Sequence, residues 1–241
     1  MGIPDRNTKP GISLAFFARE QRMAHNGDGT VDDFQEATFV PGILAMADNF
    51  DAGSDNQRLI DFAVACAAGL GTDVTILDLR DLELPDFSIG EEGGDLPQGA
   101  YAFRQLLCAH DGLLIALQSD DGDCAPLLMN AVAWSTSPAF GADARAAYAT
   151  KCATLVSGTD RSESVQRHVA DLTERLSLLG VLVLPEPPTP SVATTSPGPE
   201  EGPGKAARWR LEDQMNVFIR TIRWAQGQAQ SGSTAAEVGD A

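Results

Sequence analysis

Two short polar segments carry the side chains best suited to chemistry. The first, Asp48-Asn49-Phe50-Asp51-Ala52-Gly53-Ser54-Asp55-Asn56, runs into a helix that Ser54 is placed to cap. A helix start presents unpaired backbone N–H groups and the positive end of a dipole, so a phosphate suits it. The second, Gln118-Ser119-Asp120-Asp121-Gly122-Asp123-Cys124, follows an unbroken apolar run. Asp48, Asp51, Asp55, Asp120, Asp121 and Asp123 together form a set of carboxylates of the kind that holds hard cations such as magnesium or calcium. The two chemistries oppose each other. Two unit charges about 4 Å apart interact by roughly 4 kcal/mol at an effective dielectric near 20, whereas a helix start favours an anion by about 0.3 to 1 kcal/mol. One carboxylate beside a phosphate therefore outweighs the dipole.

Other candidate groups read as structural. Cys66, Cys108, Cys124 and Cys152 form no C-x-x-C pair and have no neighbouring His, and all four lie in apolar stretches. Small buried hydrophobes in a reducing compartment are expected. His110 ends a helix and His168 lies within one; both are expected at the surface, and neither has a Ser or Cys nucleophile in a recognisable elbow. Asn26-Gly27-Asp28-Gly29-Thr30-Val31-Asp32 looks like the centre of a calcium loop, but aligning Gly29 with the sixth position puts Ala24 first and Gln35 twelfth. Both end ligands are missing, and a turn is expected.

These residues sit in a chain of 241 residues that is 43% hydrophobic, with 17 Lys plus Arg against 34 Asp plus Glu and a net charge of −17. Such a charge disfavours nucleic-acid phosphates and anionic lipid as partners. No apolar run approaches the roughly 20 residues of a membrane helix, and Met1 to Pro10 lack the basic-then-apolar pattern of a signal peptide. A cytoplasmic protein is expected.

Residues 1–38 read as a polar N-terminal extension with one apolar patch, Ile12 to Phe17, residues 39–227 as the main domain, and residues 228–241 as a disordered tail. Within the domain, strands are expected at Gly42 to Met46, Val74 to Leu77, Gly112 to Leu117, Ala153 to Val156 and Val181 to Leu184. Helices are expected from Ser54 to a stop at Gly69 and Gly71, from Tyr101 to Ala109, from Ala125 to Trp134, and from Ser162 to Leu179 before Gly180. Residues 186–204, rich in Pro, Ser, Thr and Gly, form a loop. A last helix from Ala206 to Gln226 carries Leu211, Met215, Phe218, Ile219 and Ile222. Trp209 and Trp224 are expected to seal its packing, and Arg208, Arg210, Arg220 and Arg223 to answer the acidic body.

Alternating strands and helices make an α/β, three-layer sandwich: a five-stranded parallel sheet, order 2-1-3-4-5, with helices on both faces. Ligands bind such sheets at the carboxyl ends of the strands where the winding reverses, between the loops after strands one and three. Both polar segments lie there.

Over residues 42 to 185 the chain resembles the NAD(P)H-dependent FMN reductases, a flavodoxin-like family that includes quinone and azo-dye reductases. The family's first loop reads G-S-x-R-x-x-S-x-N; Ser54 and Asn56 match it, and Asp51 stands where the arginine would be. Its second motif, P-E-Y-N-G-S-I-P followed by L-K-N-A-x-D-W, aligns with Gln118 to Pro126 and Leu128 to Trp134, where Gly122, Asn130, Ala131 and Trp134 fit and Asp120-Asp121 replace Tyr-Asn. A glycine-rich turn after strand four corresponds to Ser157-Gly158-Thr159-Asp160. The resemblance implies FMN as cofactor and NAD(P)H as substrate, with Asn49, Ser54 and Asn56 at the phosphate and Gly122 and Gly158 giving the flavin ring close backbone approach. It also implies aromatic contacts from the second motif against that ring, a small-molecule electron acceptor such as a flavin or quinone, and a homodimer or homotetramer built near the site. Two alternatives stay open: a flavodoxin-like binding or regulatory module that has lost FMN, and a divalent-metal pocket built on Asp48, Asp51, Asp120 and Asp121. Receiver-type phosphotransfer needs a lysine after strand five, where Pro185-Glu186 stand.

Overall fold

The central strands explain the architecture. In the computed structural model β1 (Gly42–Ala47, GILAMA) and β3 (Gly112–Leu117, GLLIAL) are buried at every position. Strands without a polar alternation need cover on both faces, which a parallel sheet between two helical layers provides. With β2 (Asp73–Asp78), β4 (Cys152–Ser157) and β5 (Leu182–Leu184) they form one five-stranded sheet in the order β2-β1-β3-β4-β5. Every pairing is parallel. The expected fold and strand order are those observed. The structure describes residues 39–47, 55–87, 96–117, 126–141, 144–157, 163–185 and 205–237.

Five helices complete it: α1 (Asp55–Gly69), α2 (Gln98–Ala109), α3 (Pro126–Ser135), α4 (Glu163–Leu178) and α5 (Lys205–Glu237). Glycine ends α4 through a Schellman motif: Gly180 at φ +89 donates to the Ser177 carbonyl, and Val181 N–H reaches back to Leu176 at 3.0 Å. At the end of α1, Gly71 at φ +73 plays the same part, and the Thr72 hydroxyl takes the Ala67 carbonyl at 2.7 Å. Two expected bounds differ by more than one residue. Helix α2 begins at Gln98 rather than Tyr101, because Gly99 lets its first turn press against the Leu82 carbonyl, where a Cβ would lie 2.0 Å away. Helix α5 continues past Gln226 to Glu237.

The two faces of the sheet pack differently. Leu44, Met46, Leu113, Ile115, Ala153 and Leu155 join Phe103, Leu106, Leu107, Leu128, Leu172 and Leu176 of α2, α3 and α4 in the main core. On the other face Gly112 touches α5, where an added Cβ would meet Ile222 Cδ1 at 2.5 Å and Phe218 Cζ at 2.8 Å. Gln214 of α5 reaches the same face of β4 and donates to Thr154 Oγ1 at 2.8 Å and to the Leu155 carbonyl at 2.9 Å.

Several side chains depart from the sequence reading. His110 is 6% exposed, not at the surface: its Nδ1 lies 2.7 Å from the Leu106 carbonyl and its Nε2 2.7 Å from Thr75 Oγ1, and the buried Lys151 ammonium donates to its carbonyl. The helix end placed it, but a strand neighbour captured it. Trp209 and Trp224 are 67% and 63% exposed, because they lie on the side of α5 opposite the buried Leu211, Met215, Phe218 and Ile222. Of the cysteines, Cys152 is buried, Cys66 half-buried and Cys108 exposed on the outer side of α2, while Cys124 lies outside the described residues. The backbone of His168 lies in α4, and its side chain is outside the described set.

Candidate functional site

Three neighbouring strands end at one level. Ala47 of β1 pairs with Ala116 of β3, and Leu117 of β3 pairs with Ser157 of β4, so the segments 48–54, 118–125 and 158–162 leave the sheet within a residue of each other. From β1 the chain passes through α1 to β2 on one side, whereas β3 leads through α3 to β4 on the other. The reversal of winding therefore falls between β1 and β3, the position at which sheets of this kind bind ligands.

The candidate residues distribute around this edge. Asn56 lies in the first turn of α1, and Asp55 begins that helix; the side chains of both are outside the described residues. Asn49, Ser54, Gly122 and Gly158 also lie outside them, as do Asp48, Asp51, Asp120, Asp121 and Asp123. Among the described residues there is no group of three or more His, Cys, Asp or Glu side chains placed to hold a metal.

Asn130 and Trp134 of the second motif lie on α3 among the described residues. Asn130 of α3 accepts from the Phe87 N–H at 2.8 Å and donates to the Pro85 carbonyl at 2.9 Å. Trp134, one turn on, donates its indole N–H to the same carbonyl at 2.7 Å and meets the Phe87 ring edge-on, with centroids 5.0 Å apart. The resemblance implies ring contacts from this motif to the flavin; in the structure these two side chains fasten the connector after β2 onto α3. Ala131 between them is fully buried in the main core. Reading the sequence locally misses this pairing, since Pro85 and Trp134 lie far apart in the chain; the only local signal is Pro85 itself, interrupting the connector.

At the end of β2, Arg80 bonds both carboxylate oxygens of Asp78, at 2.7 to 3.1 Å. These side-chain bonds hold the Asp78 carboxyl below its usual range. Behind α3, Arg104 donates to the Ser135 and Ala144 carbonyls and stacks on Phe140 with 4.8 Å to its centroid. The Tyr148 hydroxyl lies 2.6 Å from Ser135 Oγ, and burial pushes its pKa well above the ordinary value.

The model of one protein family, NADPH-dependent FMN reductase, matches residues 41–192. The chain belongs to the NADPH-dependent FMN reductase family. That match runs from the start of β1 past the end of β5. No curated protein matches the chain. Among solved structures it is similar to FerB, a flavoenzyme NAD(P)H:(acceptor) oxidoreductase from Paracoccus denitrificans, with 15% identity and a TM-score of 0.62 over 77% of this chain and 99% of that one. It is similar to an oxidoreductase from Corynebacterium diphtheriae, with 17% identity and a TM-score of 0.53 over 76% and 97% of the two chains. RosB with a bound 8-demethyl-8-formylriboflavin-5'-phosphate aligns at 14% identity with a TM-score of 0.53 over 84% and 88%. These likenesses show the flavodoxin-like fold, and the family match assigns the chain a general oxidoreductase role. Among the described residues no helix is long and apolar enough to cross a membrane.

Proposed function

We propose that this FMN reductase family member is a cytoplasmic oxidoreductase that takes hydride from NAD(P)H and passes electrons to a small-molecule acceptor, a free flavin or a quinone, with FMN weakly held. The observation that carries this reading is the coincidence of the family match with the reversal of winding between β1 and β3. When bound, FMN supplies the two-electron chemistry. The chain's part is to hold and orient. The first turn of α1 and Ser54, Asn56 and Asn49 suit a phosphate; Gly122 and Gly158 leave the backbone open to a flat ring. Asn130 and Trp134 keep the connector wall fixed while ligands exchange.

Weak holding follows from charge. Asp51 occupies the place of the family's arginine, and Asp48 and Asp55 flank it. Their repulsion exceeds the dipole attraction of α1 at any close approach. A ligand so held exchanges between turnovers, which favours free flavin as the acceptor.

The purified protein's visible spectrum, followed by FMN titration with flavin fluorescence, tests the proposal. Binding at about micromolar FMN, tightened at least about tenfold by Asp51→Arg, is expected. No binding at roughly millimolar FMN, where affinity amounts to about −4 kcal/mol, overturns it. That outcome favours the second reading, a binding module that has lost FMN, for which the Asp51 and Asp120-Asp121 replacements speak directly.

A further inference from the structure

The outward side of α5 carries an apolar and charged stripe that the packing of the described residues does not use. Trp209, Asp213, Asn216, Val217, Arg220 and Trp224 are all exposed. At about 100° per residue they fall within roughly 100° of the helix circumference, opposite the side buried on the sheet. Large exposed aromatics on one helix face mark a contact surface. A cavity of about 340 Å³ is lined there, among the described residues, by Val217, Arg220, Thr221 and Trp224.

The stripe is self-complementary. Trp209 and Trp224 are equidistant from the point between Asn216 and Val217, and so are Asp213 and Arg220. Two α5 helices laid antiparallel across a two-fold axis at that point bring each Trp209 opposite the other copy's Trp224. They also bring each Asp213 opposite an Arg220. A two-fold interface requires this reciprocity, in which each contact occurs twice with the partners exchanged. The spacing of four, three and four residues from Trp209 to Asp213, Asn216 and Arg220 keeps the seam facing its partner along the helix, as in antiparallel coiled-coil packing. The Trp pair spans about 22 Å at 1.5 Å per residue.

Charge explains why this face and not another. A chain of net charge −17 repels its own copies over most of its surface. Arg208 stacks on Phe62 and Arg223 donates to the Leu70 carbonyl of the same chain, so the outward stripe itself carries one charge of each sign, Asp213 and Arg220, and two copies meeting there bring opposite charges together in pairs. In that antiparallel arrangement the other copy's Trp209 falls at the cavity beside Trp224.

We infer that the protein self-associates as a two-fold dimer through antiparallel pairing of α5, with Trp209–Trp224 and Asp213–Arg220 as its reciprocal contacts. This surface uses none of the residues assigned to FMN, and it differs from the site-proximal faces implied by family resemblance.

Sedimentation equilibrium of the full chain decides it. The wild type is expected to be dimeric at about 50 μM. Asp213→Arg and Arg220→Asp, made singly, place like charges at both symmetric pairs and weaken the dimer about tenfold or more. Mixed in equal amounts, the two variants regain opposite charges at both pairs in the heterodimer and recover the wild-type constant within about threefold. That recovery also shows that both variants are folded. Trp224→Ala weakens the dimer without rescue. A monomeric wild type, a dimer indifferent to the single reversals, or a mixture no tighter than its parts overturns the inference.

Discussion

The indole N–H of Trp134 donates to the Pro85 carbonyl at 2.7 Å, joining α3 to the connector that follows β2. Asn130 shares that carbonyl and holds the Phe87 N–H as well. The connector after β2 is thus held to α3 by a side-chain clasp. Asn130→Ala strands the Phe87 N–H and leaves Pro85 with one donor, and unfolding stability falls by about 1 to 3 kcal/mol. Trp134→Phe keeps the ring against Phe87 and costs about 1 kcal/mol. Urea unfolding checks both; equal losses would contradict the asymmetry.

Gly112 and Gly69 give opposite expectations for the same substitution. At Gly112 a Cβ meets Ile222 and Phe218 within 2.8 Å, so Gly112→Ala overpacks the sheet against α5 and costs about 1 to 3 kcal/mol. At Gly69, in the last turn of α1, a Cβ meets nothing within 4 Å, and Gly69→Ala raises stability by about 0.5 to 1 kcal/mol. Thermal melts of the two variants should move in opposite directions.

Burial, with Asp111 adding repulsion, pushes the Cys152 thiol from 9.0 to about 11. A folded-state pKa above the unfolded one means that the thiol's contribution is complete below pH 9.0 and is lost as pH rises toward about 11. The melting temperature of Cys152→Ala should therefore fall less steeply than that of the wild type across this window. Alkylation of the folded protein should label exposed Cys108 and spare Cys152. A wild-type slope equal to the variant's would refute the assignment.

Gln214 supplies hydrogens to Thr154 Oγ1 and the Leu155 carbonyl inside the interface between α5 and β4. Gln214→Leu keeps much of the bulk but removes these donors, and a loss of about 1 to 3 kcal/mol in urea unfolding is expected. A neutral result would mean that water replaces the amide.

The strands and the order of the sheet were legible because β1 and β3 are apolar without interruption, and only a doubly covered strand tolerates that. Gly180 announced the end of α4 for a similarly local reason. Trp209 and Trp224 lie across the helix from Leu211, Met215 and Phe218, so helical angle, not aromatic character, decides their exposure. His110, with its bond to Thr75, and Trp134, with its bond to Pro85, were not legible locally, because each depends on a partner brought near by the fold. At the site, the residue types in 48–56 and 118–124 expressed a conflict between phosphate and carboxylate, and the pairing of β1, β3 and β4 brings their segments to one edge.

The ladder bonds that set Ala47, Ala116, Leu117 and Ser157 level lie within the strands, upstream of the segments that carry the acidic residues. Substitutions in those segments therefore leave these ladder bonds in place. Selection for a new ligand meets little penalty from lost foldedness here, so descendants of one ancestor drift quickly in what they bind while keeping the same platform.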